Sequence, residues 1–245
     1  MKNLTLRKFI CSVAVSAILF SSPSFLNAQS GIEVDFGADL ASSYVWRGFK
    51  QAGASFQPNL SASINSFSLG AWASTDFTSN EGKKEVDFTA SFESKGLKLA
   101  VTDYWWDGES AYRYFSSPHA GNSGHMLEGT IGYTFPESFP LSITWNTFFL
   151  GEGNKKENGK NSYSTYVELG YPFSVKDVDM GISLGFVPWQ NATLGTGNGF
   201  KVTSILLNAS KSIKITDSYS LPVFANIICN PAQEDIHFVF GISIK

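Results

Sequence analysis
From Glu85 to Trp106 the chain alternates strictly between apolar and polar positions. Val86, Phe88, Ala90 and Phe92 stand between Glu85, Asp87, Thr89, Ser91 and Glu93. Successive side chains of a β-strand point to opposite faces, so this segment predicts a strand with one oily face and one acidic, hydroxylated face. A turn at Ser94, Lys95 and Gly96 follows. Leu97, Leu99 and Val101 then alternate with Lys98, Ala100 and Thr102, and aromatics collect at the far end in Tyr104, Trp105 and Trp106. Such a hairpin suits a membrane-spanning β-barrel, with the oily face to lipid and the polar face to the lumen. A soluble barrel or sandwich uses the same pattern against a core, and only repetition along the chain separates the two.

The pattern repeats. The first strand is expected over Glu33 to Arg47, with Val34, Phe36, Ala38, Leu40, Tyr44 and Trp46 on the oily face and Asp35, Asp39, Ser43 and Arg47 on the other. Val34 to Trp46 would span roughly 43 Å at about 3.3 Å per residue, or about 30 Å once tilted near 45°, which matches a bilayer core. That length puts Tyr44 and Trp46 at the interface belt favoured by amphipathic rings. Further strands are expected over Ala54–Ile64, Phe67–Phe77, His125–Phe135, Leu141–Phe149, Tyr163–Phe173, Val178–Phe186, Val202–Ile213, Leu221–Cys229 and Ile236–Ile244. With the two of the opening hairpin they make twelve. Ile205-Leu206-Leu207 breaks the alternation, and Ile205, Leu207 and Ala209 are assigned outward.

Loop length sorts by parity. Asn65-Ser66, Ser94 to Gly96, Pro136 to Pro140, Ser174 to Asp177 and Lys214 to Tyr219 are short. Most of the others, including Asp107 to Gly124, Leu150 to Ser162 and Val187 to Phe200, are longer. Short periplasmic turns alternating with longer outer loops belong to an outer-membrane barrel. The expected fold is therefore all-β, a transmembrane antiparallel up-and-down barrel of about 12 strands.

The N-terminus changes the picture by adding an address. Lys2, Arg7 and Lys8 precede an apolar run from Phe9 to Phe20, and Leu26-Asn27-Ala28 offers a cleavage site. Residues 1–28 thus read as a secretory signal peptide and 29–245 as the barrel. Of 18 basic residues, loss of these three leaves 15 against 21 acidic, a net charge of about −6, which disfavours nucleic acid. Cys11 lies in the signal, so Cys229 has no intrachain partner. Mean hydropathy is near neutral, which excludes a helical membrane bundle and not a barrel.

Ser42-Ser43-Tyr44-Val45-Trp46-Arg47-Gly48, followed by Gln51 and Gly53, resembles an early segment of the TorF-like porins, a family of bacterial exported proteins. The resemblance covers the first third of the chain, through Leu69-Gly70-Ala71-Trp72 and Thr102-Asp103-Tyr104-Trp105. It implies an outer-membrane barrel. The last residues, Ile242-Ser243-Ile244-Lys245, depart from the terminal aromatic of many such barrels.

Strand parity nominates the lumen lining: Asp35, Asp39, Arg47, Glu85, Asp87, Glu93, Lys98, Glu128, Glu168, Asp179 and also His237. An acidic excess along a hydrated path favours cations. The alternative is a plug of mutually paired charges, and Arg47 near the mouth is either a transverse-field group or a capping ion pair. Tyr44, Trp46, Tyr104, Trp105 and Trp106 are assigned to the aromatic belt and outer loop, whose Tyr112, Tyr114 and Phe115 could also stack on flat apolar ligands. Asp103 shares parity with Trp105 and faces lipid unless a bulge re-aims it. His125 has Ser123 nearby, but nothing supplies an orienting acid or oxyanion donors, so no enzyme is expected. No His and Cys spacing suggests a metal site, and no cofactor is expected. Asn191-Ala192-Thr193 matches a glycosylation acceptor by pattern only, and Gly195 to Gly199 reads as a flexible outer loop. The sequence thus points to passive diffusion of small solutes through a barrel held in outer-membrane lipids. The alternatives are a non-conducting barrel whose outer loops bind a partner, and a rim-active lipid hydrolase or acyltransferase. Oligomeric state is not set by the pattern.

Overall fold
The computed structural model describes residues 31–78, 84–107, 114–115 and 124–244. The expected signal segment 1–28 lies outside them, as do Tyr112, His119 and Ser123. The alternating segments form strands β1 (Glu33–Ala41), β2 (Tyr44–Trp46), β3 (Phe49–Ala52), β4 (Ser55–Ile64), β5 (Phe67–Asp76), β6 (Lys84–Ser94) and β7 (Leu97–Asp107). Then come β8 (His125–Thr134), β9 (Ser142–Leu150), β10 (Thr165–Val175), β11 (Val178–Val187), β12 (Lys201–Lys214), β13 (Ser220–Asn230) and β14 (Asp235–Ile244). Twelve of them close into one barrel, in the order β1-β14-β13-β12-β11-β10-β9-β8-β7-β6-β5-β4. Every neighbouring pair is antiparallel, and β1 completes the ring by pairing with both β14 and β4. Closure leaves the wall no free edge, which is what a strand needs where no water can satisfy its backbone.

Parity holds around the ring. Phe88 (45% exposed), Leu99 (41%), Ile131 (54%) and Phe240 (67%) face outward, while Asp87 (6%) and Glu128 (1%) are buried inside. Large apolar side chains exposed all around a closed barrel, over a polar interior, are the surface of a membrane-spanning barrel. The irregular β12 follows the expected choice: Ile205 and Leu207 are exposed, and Leu206 packs inward against Phe224, Ile228 and Val239. Hydroxyl pairs stitch the inner face, among them Thr89 with Thr102 at 2.9 Å and Ser68 with Ser91 at 2.7 Å.

The first strand is the departure. Alternation carries it to Arg47, but the wall ends at Ala41. Residues 42–53 turn inward, and β2 pairs with β3 as a hairpin of its own. The two-residue turn at its tip is Arg47-Gly48, both with positive φ (53° and 89°), the geometry of a tight hairpin turn.

Because Phe240 faces the surroundings at mid-strand, Phe240→Lys should cost about 2–4 kcal/mol in a bilayer, whereas Phe240→Leu should cost under about 1.5 kcal/mol. Urea unfolding after reconstitution into lipid vesicles measures both.

Candidate functional site
Position in the ring explains what the hairpin does. β9 lies six strands from β1 in either direction, so it is the wall opposite the hairpin's origin. At its base the hairpin is tied to the near wall: the Ser42 amide donates to the Phe240 carbonyl at 2.8 Å, and the Gly53 amide donates to Asp76 Oδ2 at 2.9 Å. Its tip rests on the β12–β13 wall. The Asn230 side-chain amide donates to the Gly48 carbonyl at 3.1 Å, and a Cβ on Gly48 would overlap the Thr203 carbonyl oxygen. Glycine is therefore required there for space as well as for φ.

Arg47 reaches the far wall. Its Nη1 and Nη2 donate to Glu128 Oε1 and Oε2, each at 2.8 Å, and both side chains are buried. Tyr104 donates a further hydrogen bond to Glu128 Oε2 at 3.0 Å. The guanidinium lies 4.3 Å from the Trp46 ring, 4.6 Å from Tyr166 and 5.8 Å from Phe148. Two parallel charge-assisted bonds with aromatic faces around the cation give a strong and directional contact. Arg47 is thus the ion pair of the two expected alternatives.

Around this contact the lumen is filled. Tyr44, Trp46, Tyr104, Met126, Phe148, Tyr166, Val187 and Leu194 belong to one buried cluster, with Trp72 and Trp106 packed against it. Tyr44 meets Trp72 at 5.3 Å, and Trp46 meets Tyr104 and Trp106, each at 5.8 Å. This corrects the expected belt. Tyr44, Trp46, Tyr104 and Trp106 are interior groups: the first two leave the wall with the hairpin, and the other two share the inward parity of Thr102. Trp105 keeps the outward parity but is buried beside Tyr114, 6.1 Å away. The aromatics on the outer surface are others, such as Tyr133 against Phe135 and Trp145 against Trp189.

The nominated acids separate by height. Glu85, Asp87, Glu128 and Glu168 gather at the level of the hairpin and are buried. Tyr166 donates to Glu168 Oε2 at 2.9 Å. Asp39 accepts from Ser243 Oγ at 2.6 Å, Lys98 and Glu93 pair at 3.1 Å toward the short-turn end, and Ser174 donates to Asp179 at 3.2 Å. Asp35 and Asp179 are half-buried. His237 stands 3.5 Å from Asp235.

Asp103 does face outward, with no register shift in its strand pairings. It is satisfied there by His125 Nδ1 at 3.0 Å and by the Tyr114 hydroxyl at 2.7 Å, while His125 Nε2 meets the Tyr114 carbonyl at 2.9 Å. The pKa of the Tyr114 hydroxyl is pushed up to about 12, by burial first and by this hydrogen bond second. Asn191 is fully buried: its amide donates to the Thr165 carbonyl and its Oδ1 accepts from the Leu194 amide. A glycan has no access to it, and the loop around it is packed at Leu194. Among the described residues no three His, Cys, Asp or Glu side chains group to hold a metal ion.

Sequence reading did not single out Phe148, Tyr166, Thr203, Leu194 or Asn230. Two signals point to the hairpin: the first strand runs longer than its neighbours, and Arg47-Gly48 is a turn pair between Tyr44-Val45-Trp46 and Phe49-Lys50-Gln51. Gly185 leaves room for the Tyr166 hydroxyl, which a Cβ there would overlap.

Fold and interior define the class: a closed twelve-stranded antiparallel barrel of membrane-spanning type, with its first connection folded into the lumen. No family model matches the chain. No curated protein matches it either. Among solved structures it is similar to "KdgM porin", at 9% identity over 86% of this chain and 98% of that one, with a TM-score of 0.42. It is also similar to a mutant of Rh. blastica porin, at 11% identity over 89% of this chain and 74% of that one, with a TM-score of 0.40.

Removing one partner of a buried pair strands the other charge. Arg47→Ala should therefore cost about 3–5 kcal/mol, and adding Glu128→Gln should recover much of it. Gly48→Ala should also weaken the fold, since its methyl group meets backbone. Unfolding midpoints in lipid vesicles compare all three.

Proposed function
We propose that the chain is an outer-membrane barrel of the porin kind, a passive and cation-leaning path for small solutes, narrowed at its outer end by the hairpin 42–53. The observation that carries this reading is the sorting of side chains on one closed ring, with oily groups outside and an acidic, hydroxylated lining inside. Asp35, Asp39, Glu85, Asp87, Glu128, Glu168 and Asp179 outnumber Arg47 and Lys98 along that lining, and a fixed acidic excess draws cations into a hydrated path. Solutes would enter past the hairpin, so its packing sets the rate. Chemistry is not part of this reading. Asp103 supplies His125 with an acid, but Nε2 is turned to the Tyr114 carbonyl.

A second reading has its own support. Side chains at the hairpin level are almost wholly buried, as expected of a barrel that stays shut while its outer loops bind a partner. Conductance in planar bilayers separates the two. Diffusion predicts small, cation-preferring steps from the intact chain and larger ones when 42–53 is replaced by a short turn. Absence of current from both proteins at any voltage would end the diffusion reading. Asp39→Lys with Glu128→Lys should move the reversal potential toward anions, and an unchanged value would remove these acids from the path.

A further inference from the structure
We propose that Glu128, Tyr104, Phe148 and Tyr166 form a recognition site for a guanidinium group in the barrel wall, held here by Arg47 as an internal ligand, and that small solutes with a free guanidinium compete for it. The first half rests on the site geometry alone. The second rests on the diffusion reading above, because a solute must reach the hairpin level.

Four of the groups that touch the guanidinium or orient its acceptor come from the wall and not from the hairpin. They lie on four consecutive strands, β7 to β10. Glu128 presents both carboxylate oxygens at 2.8 Å, and the Tyr104 hydroxyl on Oε2 holds that carboxylate in one orientation. Tyr166 and Phe148 supply aromatic faces at 4.6 and 5.8 Å. These wall groups are braced independently of Arg47. Tyr166 donates to Glu168, Gly185 leaves room for the Tyr166 hydroxyl, and Tyr104 packs on Phe148 at 5.4 Å and stacks on Trp106 at 5.3 Å. Withdrawing Arg47 therefore leaves an oriented carboxylate between aromatic faces.

Shape chooses the ligand. A planar fork fills both oxygens at once and offers its flat face to the rings. An ammonium is a strongly hydrated point charge, and a quaternary ammonium has no N–H to donate. Anions are refused by Glu128, Glu168 and the nearby Glu85 and Asp87. The class admitted is a small, planar, multiply donating cation.

The test uses the full mature chain carrying Arg47→Ala, folded in detergent, with methylguanidinium, methylammonium and sodium as probes. Calorimetry and tryptophan fluorescence should show saturable methylguanidinium binding, about tenfold or more tighter than methylammonium. Binding should vanish when Glu128→Gln is added and weaken several-fold when Tyr166→Leu is added. Equal binding of methylammonium, or binding that survives Glu128→Gln, overturns the site. If Arg47→Ala does not fold alone, the readout becomes folding yield. Methylguanidinium in the refolding buffer should restore the folded species where methylammonium does not, and no restoration overturns the site. In bilayers, methylguanidinium should reduce the sodium current of the intact chain at lower concentration than methylammonium does. Equal block by the two overturns the competition. Binding in detergent with no current in bilayers from either the intact chain or the 42–53 replacement upholds the site and sinks the diffusion reading and the competition with it.

Discussion
Backbone hydrogen bonding across β1 is the constraint on which this protein depends. In hydrocarbon no solvent satisfies an unpaired amide or carbonyl, so a sheet must close or fail. β1 closes it by pairing with β14 on one side and β4 on the other, and the Asp39–Ser243 hydrogen bond sits inside that seam. Once the ring is shut, alternation does the rest. Each strand has one set of side chains for lipid and one for the interior, and no residue is left to choose.

Closure also creates an interior that must be filled or wetted. At the outer end it is filled by the chain's own first connection. Ser42 leaves the wall, the hairpin folds into the lumen, and the Arg47 side chain meets Glu128 on the far side. A buried carboxylate and a buried guanidinium are each costly alone. Two parallel hydrogen bonds, a tyrosine hydroxyl and three aromatic faces make the pair tolerable. The same contact fixes the hairpin against the far side of the ring.

Among the polar groups of outward parity, Asp103 obeys the same rule. A carboxylate on an oily face needs partners, and His125 and Tyr114 supply them from a neighbouring strand and from the connection above. Asn191 and Asn154 act similarly in the outer connections, each buried and each bonded to backbone through both ends of its amide. These connections pack as structure, with Leu194 reaching the aromatic cluster.

How much of this was written along the chain follows from what is local. Period-two alternation in Glu85–Glu93 or Ile236–Ile244 is a property of neighbours, so it determined the strands, their faces and the short turns between them. It assigned Glu128, Asp87 and Glu168 to the interior before any contact was known. It misjudged Tyr44 and Trp46, because alternation continues unbroken through a strand that has left the wall. Whether residues 42–53 extend the barrel or fold into it depends on a partner 81 residues away, on a strand nearly half a turn around the ring. Only the closed tertiary structure brings Arg47 and Glu128 together, since no local pattern carries the distance across a lumen.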